Sequence, residues 1–152
     1  MRKQKVLFLC TGNSARSQMA EAFLRHYAAS KYEAHSAGLD PQGINTLTKI
    51  VMEEAGISME GQYSKHIKDY LGRENFSYLI TVCAGAEENC PSTFPGISQR
   101  ISWHFDDPAA AIGSDEEKLN KFRQVRDQIE KQVKLWISNE KLIKIALNFN
   151  MI

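Results

Sequence analysis

The 152-residue chain has no excess of either charge: 19 Lys and Arg stand against 18 Asp and Glu, a formal net charge of +1. That balance removes any global pull toward nucleic acid or an anionic membrane, and leaves open only a local anion site. No stretch approaches about 18 consecutive apolar residues, so no membrane span is expected. The basic start MRKQK leads into VLFLC, too short an apolar run for a signal peptide, and a cytoplasmic protein is expected. Cysteine is scarce, with only Cys10, Cys83 and Cys90. Three cysteines in a reducing compartment argue against a disulfide scaffold, and an all-cysteine zinc site would need four. His26, His35, His66 and His104 are scattered without metal-ligand spacing, so no metal is expected. The GK[ST] ending of a Walker loop and the GxGxxG fingerprint are both missing.

What the chain does have is a regular alternation. KVLFLC (5–10) is a nearly continuous apolar run, the mark of a strand buried on both faces of a parallel sheet. Residues 17–29 place Met19, Ala20, Phe23, Leu24 and Tyr27 on one helical face, with Ser14 or Asn13 as the expected cap. EAHSAG (33–38), YLITVC (78–83) and QRISWHF (99–105) read as further strands, and 45–56 as a helix closed by Gly56. Residues 114–138 predict a long helix, opened by a Ser114–Glu117 capping box and striped by Leu119, Phe122, Val125, Ile129, Val133 and Trp136. This order predicts an α/β three-layer sandwich around a four-stranded parallel sheet. One domain over 1–139 is expected, with 140–152 a tail whose order the sequence leaves open.

Such sheets bind ligands beyond the carboxyl ends of their strands. Cys10, Cys83 and the Asp106–Asp107 pair all fall there, and AGAEEN between Cys83 and Cys90 reads as a mobile polar loop. In CTGNSARS the turn from strand to helix can aim several backbone N–H groups inward as an anion nest, backed by the helix N-terminus. Gly12 would permit an unusual backbone angle or a close approach. Arg16 offers planar paired donors to a tetrahedral oxyanion, and Ser17 can hydrogen-bond the Cys10 sulfur. Together these are expected to lower the Cys10 pKa. By itself, a cysteine at a strand end is more often packing than chemistry. The order apolar strand, Cys-x5-Arg-Ser, helix reverses that weighting.

VLFLCTGNSARSQMAEAF resembles the P-loop of the low-molecular-weight protein tyrosine phosphatase superfamily, and more closely that of thioredoxin-coupled arsenate reductases built on the same fold. YEAHSAG, TVCAGAEENCP, HFDDPA and FRQVRDQIEKQV extend the resemblance over roughly residues 4–138. It implies an oxyanion loop of Thr11, Gly12, Asn13, Ser14, Ala15, Arg16 and Ser17. Cys10 would be the nucleophile, Cys83 the first resolving thiol, Cys90 the second, and Asp107 the general acid. Arsenate would be the substrate and thioredoxin the reductant. The thiols would carry both electrons without a cofactor, and the 83–95 segment would rearrange on oxidation. A monomer is expected.

Phosphatase or small phosphomonoesterase activity is the alternative, because phosphate and arsenate share shape and charge. A non-catalytic oxyanion-binding or redox-signalling protein is the other. Two features favour the reductase. Phosphatases of this superfamily usually follow Asp-Pro with an aromatic residue, and here the sequence is DPAAA. A phosphatase also has no use for Cys83 and Cys90. Two departures stand out. Ala15 replaces a cysteine common in related reductases. Some relatives bind potassium through residues matching Asn13, Glu21, Ser36 and an aspartate where this chain has Lys65. Lys65 is therefore expected to replace the ion or abolish its site.

Overall fold

The computed structural model describes residues 2–90 and 95–149. Four strands, β1 (Gln4–Cys10), β2 (Tyr32–Gly38), β3 (Phe76–Thr81) and β4 (Ile97–Ser102), form one wholly parallel sheet in the order β2-β1-β3-β4. Helices α1 (Arg16–Ala28), α2 (Thr46–Glu54), α3 (Ala84–Asn89) and α4 (Asp115–Asn148) complete the α/β three-layer architecture. Val6, Leu7, Phe8 and Leu9 of the interior strand β1 have no solvent exposure, which is why that strand reads as an unbroken apolar run. The α1 and α4 helices pack on each other. Trp136 of α4 meets Tyr32, Tyr78 and Trp103 with ring centroids 5.0–6.4 Å apart. Trp103 and Trp136 are thus core residues, the latter as the stripe of the long helix predicted.

Chain order reverses between β1 and β3, because β1 leads outward to β2 on one side while β3 and β4 lie on the other. Ligand crevices of open parallel sheets form at such a reversal. Cys10 ends β1, and Cys83 follows β3 by two residues.

Four local expectations are corrected. The third strand ends at Thr81 rather than Cys83, because Cys83 is the N-cap of α3 and its sulfur accepts the Ala86 N–H at 3.3 Å. AGAEEN is therefore a helix, where a mobile polar loop was expected. Neither Asn13 nor Ser14 caps α1: the cap position is Ala15, with no side-chain bond, and the Asn13 side chain is spent inside the protein. The Ser114–Glu117 box forms in both directions. Behind it α4 runs ten residues past the expected end at 138, so 140–148 are helical.

Candidate active site

The loop between β1 and α1 is held from outside by the segment after β2. Backbone N–H groups of Leu39, Asp40, Gln42 and Asn45 donate to the carbonyls of Cys10, Thr11, Gly12 and Ser14 at 2.8–3.2 Å. The Asn13 carbonyl accepts from Gln18 Nε2 at 3.1 Å. In a trans peptide the N–H points opposite to the C=O. With five successive carbonyls turned outward, the N–H groups of residues 11–15 face the other way, into a cavity of about 580 Å³. The convergence of N–H groups has the geometry of a nest.

Cys10, Thr11, Gly12, Ser14, Ala15, Arg16 and Asp107 line that cavity, while Asn13 and Ser17 lie fully buried behind it. The Asn13 and Ser17 side chains thus support the loop from behind. Gly12 differs from expectation. The left-handed residue is Asn13 (φ 47°), and a Cβ on Gly12 would make ordinary contacts at 3.4 Å or more. The close approach is made by Gly38, where a Cβ would fall 2.6 Å from the Thr11 carbonyl. Gly38 was read only as the end of a strand. Gln42 and Asn45 also line the cavity and carry no sequence signal of their own.

Cys10 is 3% exposed. Its sulfur lies 2.7 Å from Ser17 Oγ and accepts the Asn13 N–H at 3.1 Å. Burial pushes the Cys10 thiol up, the Ser17 hydroxyl and the N–H groups of Ser17 and Asn13 pull it down, and neighbouring Cys83 pushes it up further. The net direction is upward, so the expected depression is overridden by desolvation in this buried position.

Arg16 Nη1 donates to the Phe105 carbonyl at 3.0 Å, and Arg16 Nη2 is 3.9 Å from Asp107 Oδ2. Asp107 Oδ1 accepts the Ala109 N–H, so one oxygen caps the turn at Pro108–Ala110 while the other faces the cavity arginine. Asp106 is turned away. It pairs with Lys121 at 2.9 Å, which holds its carboxyl below the usual range. The structure thereby separates the two aspartates, and DPAAA places Ala109 at the cavity wall.

The Cys83 sulfur is 3.7 Å from Thr11 Oγ1, at the rim of the loop that holds Cys10. Cys90 is buried at the opposite end of α3. Burial pushes its thiol up, nearby Arg100 pulls it down, and Glu87 pushes it up. All three cysteines are free thiols. Lys65 is 6% exposed with its Nζ 3.7 Å from Glu21 Oε1, so an ammonium stands beside the carboxylate. Among the described residues, ligand atoms of Glu33, His35 and Glu74 lie within 4.8 Å of one another, a grouping that chain spacing did not reveal. It sits at the opposite end of the sheet from Cys10, and Lys5 Nζ pairs with both carboxylates at 3.0 and 3.8 Å.

The family model for low molecular weight phosphotyrosine protein phosphatases matches residues 5–146. The chain belongs to this family. An arsenate reductase of Halalkalibacterium halodurans is 41% identical over 141 residues, covering 93% of this chain and all of that one. A solved arsenate reductase in the phosphate binding state has a TM-score of 0.75 at 32% identity, covering 90% of this chain and 98% of its own. A thioredoxin-dependent arsenate reductase of Corynebacterium glutamicum has a TM-score of 0.57 at 27% identity, covering 88% of this chain and 63% of its own. Among the described residues, no helix is long and apolar enough to cross a membrane.

Proposed function

We propose that this family member is a cytoplasmic, monomeric arsenate reductase working through a three-cysteine relay re-reduced by thioredoxin. The observation that carries the reading is the placement of a second free thiol, Cys83, against the loop that holds Cys10. The similarity to arsenate reductases along nearly the whole chain supports the same reading.

Arsenate enters the nest of N–H groups and is gripped by the Arg16 guanidinium, with the N-terminus of α1 adding partial positive charge. The Cys10 thiolate attacks arsenic. A hydroxyl leaves as water with a proton from the Asp107 carboxyl, giving a Cys10–S–As(V) adduct. Cys83 then attacks the Cys10 sulfur. The S–As bond breaks with its electron pair going to arsenic, so As(V) becomes As(III), arsenite departs, and a Cys10–Cys83 disulfide remains. Cys90 attacks the Cys83 sulfur, which frees Cys10 as thiolate and leaves Cys83–Cys90 oxidised. A dithiol on thioredoxin reduces that bond by two successive exchanges. The donors around the loop stabilise charge on the oxyanion in the first step. No cofactor enters, because both electrons come from thiols.

The last exchange requires α3 to unwind. The six residues of α3 lie between Cys83 and Cys90, and seven steps of helical rise set their Cα atoms about 10 Å apart, whereas disulfide partners lie within about 7 Å. The expected rearrangement of 83–95 therefore acquires a physical cause, although 91–94 fall outside the described residues. Phosphatase activity is the weaker reading, since Ala109–Ala111 offer no aromatic wall for a phenyl ring. The test is an assay of arsenite formation coupled to thioredoxin, its reductase and NADPH, beside hydrolysis of an aryl phosphate. Arsenate-dependent NADPH oxidation with feeble aryl phosphate turnover is expected. Phosphate ester turnover alone would reverse the order of the two readings.

A further inference from the structure

The last turns of α4 are amphipathic with their polar side toward the protein. Glu140 Oε2 accepts the Tyr78 hydroxyl at 2.8 Å. Lys144 Nζ donates to Gln4 Oε1 at 3.1 Å and lies over the Tyr32 ring. The polar side is thus pinned where β1 and β2 begin. Leu142, Ile143, Ile145, Leu147 and Phe149 are left exposed, Leu142 at 63% and Phe149 at 72%. At about 100° per residue these side chains span about 200° of the helix circumference, and Glu140, Lys141, Lys144 and Asn148 hold the remainder. A helix that packs on one core needs an apolar stripe nearer 100° wide.

The pole from which this face projects carries unpaired positive charge. Gln4, which Lys144 reaches, stands between Lys3 and Lys5, and its N–H donates to the Lys31 carbonyl at 3.0 Å. Arg2, Lys3, Lys5 and Arg73 line a groove of about 810 Å³ at the same pole. Lys5 takes both carboxylates there, Glu33 and Glu74. Arg2, Lys3, Lys31 and Arg73 are exposed, and among the described residues none of them has a carboxylate within ion-pair distance. The Cys10 cavity opens at the other end of the strands, roughly 20 Å away.

We propose that the last turns of α4 and the cations around their base form a docking surface for an anionic lipid membrane. The apolar side chains enter the boundary between headgroups and acyl chains, while Lys3, Lys31, Arg73 and Lys141 meet the headgroups. The width of the apolar arc favours a medium that surrounds the helix over a single protein face. Charge decides against a second copy of the chain. Two copies meeting here would set the unpaired cations of each against those of the other, with Glu33 and Glu74 already taken by Lys5. Among the described residues no helix can cross a membrane, so the contact is peripheral. It leaves the Cys10 cavity on the aqueous side.

The test is co-sedimentation of the full chain with vesicles of phosphatidylcholine alone, or of phosphatidylcholine and phosphatidylglycerol in equal parts. Melting temperature and sedimentation equilibrium without vesicles are measured alongside. The parent should bind the mixed vesicles at least about tenfold more tightly than phosphatidylcholine alone, and lose most of that binding in about 0.5 M salt. A cation near an anionic surface is worth roughly fivefold in binding, so Lys3→Gln with Arg73→Gln should weaken it about twentyfold. Leu142→Gln with Phe149→Gln should weaken it at least about tenfold on the same vesicles. All four positions are exposed, so neither pair should lower the melting temperature. Phe149→Trp should shift its emission to shorter wavelength on mixed vesicles, over the constant background of the buried Trp103 and Trp136. A parent that leaves mixed vesicles unbound would overturn the proposal. So would binding that ignores phosphatidylglycerol, or that survives either pair of substitutions. A concentration-dependent dimer abolished by the apolar pair, with vesicles unbound, would assign the face to a second copy instead. No readout involves arsenate or a thiol, so a negative result leaves the assigned reaction separately testable.

Discussion

If Cys83 and Cys90 meet only after α3 unwinds, loosening that helix should speed their union. Glu88 is the place to loosen it: the residue is exposed in the last turn of α3, remote from the Cys10 cavity. Glycine in a helix interior costs about 0.5–1 kcal/mol relative to a good helix former. Because the unwound state carries none of that cost, Glu88→Gly lowers the opening step by the same amount, which is roughly two- to fivefold in rate. Glu88→Ala keeps helical propensity and serves as the control. The assay is a single turnover: reduced protein is mixed with arsenate, quenched with acid and alkylated, and the Cys83–Cys90 disulfide is quantified by peptide mass spectrometry. The Glu88→Gly protein should accumulate that disulfide two to five times faster, with an unchanged rate of the Cys10–Cys83 step. Equal rates in the Gly and Ala variants would refute the reasoning that helix opening limits the second exchange.

Asp107→Asn keeps the oxygen that accepts the Ala109 N–H and removes the transferable proton; the first chemical step should slow about 100-fold or more with the melting temperature unchanged. Arg16→Lys keeps the charge but loses the paired donors and the reach to Phe105, and should raise the KM for arsenate at least about tenfold in steady-state assays. Ser114→Ala breaks the capping box of α4 and should cost about 1 kcal/mol, lowering the melting temperature by about 2–4 °C without altering the active site. With an ammonium already beside Glu21, arsenate reduction should show no specific stimulation by potassium over sodium at equal ionic strength.

Much of the scaffold was legible because burial writes itself into periodicity. The run VLFL announces a strand covered on both faces, and the stripe from Phe122 to Trp136 announces a helix on a core. Cys10, Arg16 and Asp107 were legible because a strand end, a helix start and a turn before proline carry them to one edge. The supporting shell was not. Gly38 matters through the Thr11 carbonyl, and Gln42 through a strap that pairs with the loop; both effects exist only once distant segments touch. The Cys10 thiol was misjudged for the same reason: CTGNSARS displays the donors but hides the depth of burial that opposes them. AGAEEN looked like a loop because six polar and small residues have no apolar stripe to declare a helix. Where α4 ends was equally hidden, since KLIKIALN carries exposed apolar residues without a stop signal.

Arsenite release in one turnover, with no external reductant, tests the three-sulfur relay most directly. Parent protein and Cys10→Ser, Cys83→Ser and Cys90→Ser variants are each reduced, freed of reductant and mixed with excess arsenate. Arsenite per chain and the disulfides formed are then measured together. The account predicts one arsenite per chain from the parent with Cys83–Cys90 oxidised, and one from Cys90→Ser with Cys10–Cys83 oxidised. It predicts none from Cys10→Ser or Cys83→Ser. Full arsenite release from Cys83→Ser would contradict it, because arsenic would then have taken its electron pair without the second sulfur.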